Sequence, residues 1–380
     1  MNGFQGIQIE RFRRLLLGIW LGLQVLMLLI FGPVIAGDSE RFLEWGVRLF
    51  SEARLDGWSG QFSAFILWTG LWQLITPNSL LGMVGAQIFL VFFALKRWSG
   101  PKVLPVGLGV LALFWFVSYP DFYRWPRYVM TEALFVASVM AVLAQIGSWG
   151  PEEKSCRSYL FLGVLVVLSA SIRPHGLLWI PILLFWWVSS LRNGLRWVLL
   201  MVLALFSLSL TGPFDALLRS VSLPVYFNQG TIIWSVEDWT IRMPGSLDSE
   251  RGVVPALILY GWQHPLETTS LIFSRVLVSL VPVRSAFSDL HNLVNLIWIG
   301  CFYTCVLKGI GGFARRCPDL ARLCGIYLCF HLGLAGMMHG EWDGRWFLYL
   351  LPVFCFPAAF GLIGFAQQLR EMVLVRKGMP

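Results

Sequence analysis

Charge is what this chain has least of. Only 13% of its 380 residues are Asp, Glu, Lys or Arg, and lysine occurs five times. Soluble domains carry about 25% charged residues. With 57% hydrophobic residues and a mean hydropathy of +0.69, the sequence cannot cover a water-soluble surface. Several motifs are missing too. There is no GxGxxG turn, no Walker loop and no soluble nucleotide-binding domain, so any energy the protein uses must arrive in its substrate. No Cys-x-x-Cys pair and no His-Glu-x-x-His run suggests zinc. The seven cysteines fall in expected helices or cytoplasmic loops, so no exported disulfide is implied, and Cys301 and Cys305, one turn apart, read as small apolar packing residues. No stripe of basic and aromatic residues points to nucleic acid. The first apolar run lacks a small-x-small cleavage site and opens a series of similar runs, so it is expected to be a retained helix.

What is present is a succession of apolar runs long enough to cross a hydrocarbon core of about 30 Å, for example residues 15–36, 132–150, 197–211 and 346–365. The pattern predicts an all-α polytopic membrane protein with roughly ten to twelve membrane helices and extracytoplasmic amphipathic helices, forming one integral membrane domain over residues 1–380. Basic residues in short loops stay cytoplasmic. Placing the clusters at Arg11 to Arg14, Lys96 to Lys102, Lys154 with Arg157, Arg192 with Arg196, Lys308 to Arg322, and Arg370 to Lys377 inside assigns 17 of the 29 basic residues, including every lysine, to one face. The amino terminus is then cytoplasmic, and the net charge of +8 reads as membrane orientation. The topology depends on an odd number of crossings in 61–95 and an even number in 252–283.

With that orientation, the conspicuous polar residues gather in loops on the opposite face. A first loop, 37–60, holds Asp38 followed by Phe42, Trp45, Gly46, Leu49 and Phe50 at helical spacing, an amphipathic helix expected to lie on the outer leaflet. Asp38 is either its N-cap or a general base that removes a proton from an acceptor at the membrane surface. Glu132 opens an apolar helix, where the helix dipole favours a carboxylate, and Arg124 and Arg127 are either its partners or phosphate ligands. Arg173-Pro174-His175-Gly176 interrupts an otherwise continuous apolar run; an arginine at that depth needs a partner or a polar cavity. Residues 213–265 form a larger, polar extracytoplasmic loop. A last loop carries Glu341, Asp343 and Arg345, and Arg345 and Tyr349 share a helix face at i and i+4, where they could grip one phosphate. Interfacial anchoring by Trp342, Trp346 and Tyr349 is the plainer reading of that segment.

The order of these motifs resembles the GT-C glycosyltransferases, integral membrane enzymes that take a sugar from a polyprenyl-phosphate carrier, and within them the group of protein mannosyltransferases and aminoarabinose transferases. Gly37-Asp38-Ser39 resembles the family's acidic first loop, Met130-Thr131-Glu132-Ala133-Leu134-Phe135 its Thr-Glu-x-Leu-Phe helix start, Ile172-Arg173-Pro174-His175-Gly176 its Arg-Pro-x-Gly break, and residues 344–352 its Arg-Tyr-x-Leu-Pro segment. Two departures stand out. Related transferases carry a second acidic residue, or an acidic–basic pair, near the end of the first loop, where this sequence reads Asp56-Gly57-Trp58-Ser59-Gly60-Gln61, and Trp346 follows Arg345 where tyrosine is usual. The resemblance implies an inverting glycosyltransferase with Asp38 as catalytic base. Arg345, Tyr349, Arg173 and Arg127 would bind the donor phosphate, and Glu132, His175, Glu341 and Asp343 would support the site or bind the acceptor. The donor would be a polyprenyl-phosphate-linked sugar, with undecaprenyl phosphate the expected carrier, and the acceptor a lipid, glycan or protein. No cofactor is expected, a divalent metal being left open. The implied location is a bacterial inner membrane with the site facing the periplasm. The alternative is a flippase or transporter of a lipid-linked sugar, although no internal repeat is evident and few charges fall mid-helix.

Overall fold

A computed structural model describes residues 3–55, 59–77, 79–149, 155–189, 223–233, 239–247, 252–340 and 343–376. The chain is an all-α polytopic membrane protein. Among the described residues, five helices are long and apolar enough to cross a membrane: within Ile7–Phe31, Leu81–Trp98, Asp289–Arg316, Pro318–Met337 and Arg345–Glu371. A sixth is counted if the bent pair Val106–Ser118 and Pro120–Arg127 is one span, and four further apolar helices run 10–17 residues. The expected run at 197–211 lies outside the described residues. Strand pairing among the described residues is confined to isolated bridges.

The chain falls into two compact units. The first comprises Met1–Trp179, Ile297–Arg322 and Leu348–Pro380; the second comprises Ile180–Leu296 and Leu323–Phe347. In the first, α1 (Gly3–Phe31) packs on α4 (Leu81–Trp98) and α5 (Val106–Ser118), α4 on α6 (Glu132–Gly147), and α6 on α7 (Cys156–Ile172). Helix α6 is apolar on every side and buried along almost its whole length, as such a helix must be if it is not to face lipid alone. Helix α1 is its opposite: Leu26, Leu29, Ile30 and Phe31 are exposed, the surface a lipid bilayer would cover. The C-terminal half of α12 (Asp289–Arg316) meets α14 (Arg345–Arg376) through two glycines. A Cβ on Gly309 would lie 1.9 Å from the Pro357 carbonyl oxygen, and one on Gly361 1.9 Å from that of Cys305. Without a hydrophobic force between helices in lipid, this close backbone approach is what holds such pairs together.

Helix α2 (Ser39–Glu52) has the amphipathic pattern expected of it, but protein covers its apolar face. Phe42 and Trp45 pack with Phe65 and Ile66 of α3 (Ser63–Ile75) and with Leu134. The α3 side chains Thr69 and Gln73 donate to the carbonyls of Phe42 and Leu43 at 3.0 and 3.2 Å, and Gly46 and Gly70 touch backbone to backbone. Val47 and Phe50 remain on the exposed side.

The second unit contains α8 (Trp179–Ser189), α9 (Leu223–Asn228), α10 (Val253–Gln263), α11 (Pro265–Leu280), the start of α12 and most of α13 (Pro318–Met337). Helix α10 lies within residues 213–265. Their described part also folds on itself: Ile232 donates to Trp239 and Ile241 to Gly230, each at 2.9 Å. Phe227, Ile232, Ile233 and Leu247 close a core with Tyr260, Leu271 and Val278. Asp215, Arg219, Trp234, Glu237, Asp238, Asp248 and Arg251 lie outside the described residues.

Candidate functional site

Two irregular segments of the first unit run side by side and carry most of the motif residues. The first follows α1. Gly32 takes a left-handed φ of +69°, ending the helix before Pro33. Val34 then pairs with the second segment: its N–H donates to the Arg127 carbonyl at 2.9 Å, and its own carbonyl accepts from Val129 at 3.0 Å. A Cβ on Gly37 would lie 3.8 Å from Cε of Met130, so the loop bearing Asp38 rests against the approach to Glu132. The Ser39 hydroxyl closes the turn, accepting from Ala36 N–H at 3.0 Å and donating to its carbonyl at 2.7 Å. Asp38 occupies the N-cap position of α2 but makes no side-chain capping bond. Its carboxylate, 45% exposed, lies 3.3 Å from the Arg41 guanidinium.

The second segment, 119–131, is where α5 gives way to short 3₁₀ turns. Tyr119 is extended ahead of Pro120, as a residue before proline must be, and the chain bends by 77°. Non-helical backbone is tolerated at membrane depth only when protein satisfies its polar groups. Two buried glutamines do this. Gln24 of α1 donates to the Tyr123 carbonyl at 3.3 Å, and Gln87 of α4 donates to those of Pro126 and Tyr128 at 3.1 and 3.0 Å. Asp121 is buried here, accepts from the Tyr119 hydroxyl at 3.2 Å, and stands 3.7 Å from Arg124. Arg127 is also buried, its guanidinium carbon 5.3 Å from the centre of the Phe31 ring.

Glu132, the first residue of α6, is fully buried, and its partner comes from α7. Arg173 donates from Nη1 to Glu132 Oε1 at 2.6 Å and to Thr131 Oγ1 at 2.8 Å, while its Nε donates to His175 Nδ1 at 3.1 Å. The guanidinium lies 5.2 Å from the centre of the Tyr349 ring, which also meets Phe135 edge-on at 5.0 Å and His175 at 5.8 Å. The local sequence explains the break. Pro174 holds Arg173 extended, and a Cβ at Gly176 would fall 2.3 Å from the Ser169 carbonyl, so only glycine lets the turn fold back on α7. A carboxylate and a guanidinium so deeply buried are tenable only as a hydrogen-bonded pair.

The second unit holds its own polar cluster. Asp343 is buried and takes the Arg345 guanidinium in a forked arrangement, Nε to Oδ2 at 2.9 Å and Nη2 to Oδ2 at 2.6 Å, with the Arg345 backbone N–H to Oδ1 at 3.2 Å. His339 is buried against Tyr226, ring centres 4.3 Å apart. Burial pushes its imidazole down to about 4, a backbone hydrogen bond at Gly340 working the other way and the charges of Arg275 and Arg345 adding to the drop. Arg275 is completely buried and donates to three backbone carbonyls, of Thr231, Met337 and Tyr226, at 2.9, 2.8 and 2.8 Å. Arg284 likewise donates to the carbonyls of Val278, Val281 and Val283.

Of the residues singled out from the sequence, the structure brings Thr131, Glu132, Arg173, His175 and Tyr349 into one buried cluster, with Asp38 and Arg127 on the adjoining paired segments. Asp343 and Arg345 belong to the second unit and hold each other; Glu341 lies outside the described residues. No family model and no curated protein matches the chain. Arg345 and Tyr349 are one turn apart on α14, yet Arg345 is gripped by Asp343 while Tyr349 packs on Phe135 and His175. The residues missed are Asp121, Gln24 and Gln87. Asp121 had a signal, an acid three residues before Arg124 in an apolar context; the glutamines had none beyond being amides in apolar helices.

Proposed function

We propose that this protein transfers a sugar from a polyprenyl-phosphate donor to an acceptor at the membrane surface, on the side to which the 37–60 loop projects. One juxtaposition carries the reading: a carboxylate open to solvent, Asp38, rests on a loop pinned against the segment that leads into the buried Glu132–Arg173 cluster. In a chain this apolar, buried ionisable groups mark a functional region unless they serve packing alone.

In this reading Asp38 takes the proton of an acceptor hydroxyl or amine while the acceptor atom attacks the anomeric carbon of the donor sugar. The bond from that carbon to the phosphate oxygen breaks, and the carrier leaves as a phosphate monoester with one more negative charge than in the donor. Guanidinium groups of the first unit's motif segments, Arg127 and Arg173, oppose that developing charge. Glu132 and Thr131 fix the Arg173 fork, and His175 and Tyr349 fix its plane. Placing the protein in a bacterial inner membrane with this face in the periplasm belongs to the same proposal.

The test is mass spectrometry of polyprenyl-phosphate sugars extracted from cells making the wild-type protein, no protein, or Asp38→Asn. Accumulation of one sugar-charged carrier, equal without the protein and with the variant, is expected and identifies the donor. A variant that matches wild type, while loss of the protein changes the pool, would remove the base from the mechanism and favour a flippase.

A further inference from the structure

Most buried arginines among the described residues are accounted for. Arg13 is held by Glu10, Arg173 by Glu132, Arg345 by Asp343, and Arg275 and Arg284 by backbone carbonyls. Arg127 is different. It is 8% exposed, its Nε is buried without an acceptor, and no carboxylate or carbonyl of the described residues receives its guanidinium. Its contact is the face of Phe31, the last residue of a membrane helix. Burying a cation without a partner costs several kcal/mol, far more than a cation–π contact of about 0.5–2 kcal/mol returns.

We propose that Arg127 is the recognition residue for a lipid-borne phosphate at the end of α1. Its surroundings supply the second half of the argument. Phe31, whose ring meets the guanidinium, is 66% exposed, and Leu26, Leu29 and Ile30 of the same helix are exposed as well. A phosphate at Arg127 therefore has an apolar surface beside it on which a chain attached to that phosphate can lie. The planar fork of arginine suits phosphate oxygens. The backbone around it is set in advance, with Gln87 holding the carbonyls on both sides of Arg127 and Val34 pairing with its own. The geometry narrows the earlier assignment of the donor phosphate from several arginines to one. It rests on the transferase reading only for which lipid is bound.

The experiment uses the purified full-length protein in detergent, titrated with undecaprenyl monophosphate, with phosphatidylglycerol, or with inorganic phosphate, and bound lipid counted by native mass spectrometry. Arg127→Gln should weaken lipid-phosphate binding at least about tenfold, equivalent to about 1.4 kcal/mol. Arg127→Lys, keeping the charge without the fork, should fall between. Loss confined to the polyprenyl lipid identifies a carrier site; equal loss of both lipids identifies a general phospholipid headgroup site; both support the proposal. Lipid binding by Arg127→Gln at wild-type strength overturns it, as does wild-type protein binding inorganic phosphate as tightly as either lipid. If the glutamine variant does not fold, the lysine variant decides: affinity equal to wild type refutes a forked contact. Sugar transfer is assayed separately, so a binding defect in a protein with no transferase activity leaves this site standing and removes the function proposed for it.

Discussion

The Glu132–Arg173 pair makes a quantitative demand on any variant that separates it. Glu132 is fully buried and Arg173 is 11% exposed, with 2.6 Å between the charged atoms. Removing one partner of such a pair strands the other and costs about 3–5 kcal/mol. Glu132→Gln keeps an acceptor of the same shape, and Thr131 and His175 still hold the guanidinium, so its cost belongs near the lower end. Arg173→Gln leaves a carboxylate with no exposure at all and belongs near the upper end. The double variant replaces two ions by two amides that can bond to each other. Its cost should fall short of the sum of the singles by about 2–3 kcal/mol, a coupling within the range found for residues in direct contact. Reversible unfolding of the four proteins in one detergent measures the cycle. Additivity within about 0.5 kcal/mol would refute the claim that these residues act as a pair.

Two further outcomes follow from other parts of the structure. His339 has a folded-state value of about 4 against about 6.5 for a free imidazole, so the unfolded chain takes up its proton first as the pH falls. The stability linked to it is present above pH about 6.5 and is lost toward pH 4, up to about 3 kcal/mol, and His339→Gln should flatten that part of the stability–pH curve. Gly361→Ala places a methyl group where the Cys305 carbonyl lies 1.9 Å away, so α12 and α14 must part; a loss of about 1–3 kcal/mol is expected, with Gly361→Ser at least as severe, read from unfolding in the same detergent.

Much of the architecture can be read from the residues themselves. The membrane class follows from composition, and the breaks at Pro33, Arg173-Pro174 and Gly344 coincide with chain turns because proline and glycine fix local backbone whatever surrounds them. Glu132 begins α6, where its dipole favours a carboxylate. Partnership was harder to see. Nearness in sequence offered Arg124 and Arg127 to Glu132; Arg173, 41 residues further on, takes it instead, because α6 and α7 are brought together by packing that a local pattern does not encode. Arg124 is directed to Asp121 and its own neighbour Trp125. The hydrophobic stripe of α2 was legible, whereas its cover was not: a stripe looks the same to a sequence whether lipid or the Gly70 face of α3 lies against it.

Arg275 has a history as well as a position. Its carbonyl acceptors come from Tyr226 and Thr231, made earlier by the ribosome, and from Met337, made 62 residues later. While the chain is being delivered to the bilayer, the guanidinium therefore waits with part of its fork empty, next to a helix whose remaining residues are ready to partition into lipid. Completion of α13 supplies the missing oxygen. The second unit therefore cannot close around Arg275 until α13 is in place, because a guanidinium with an empty donor position is a cation that lipid rejects.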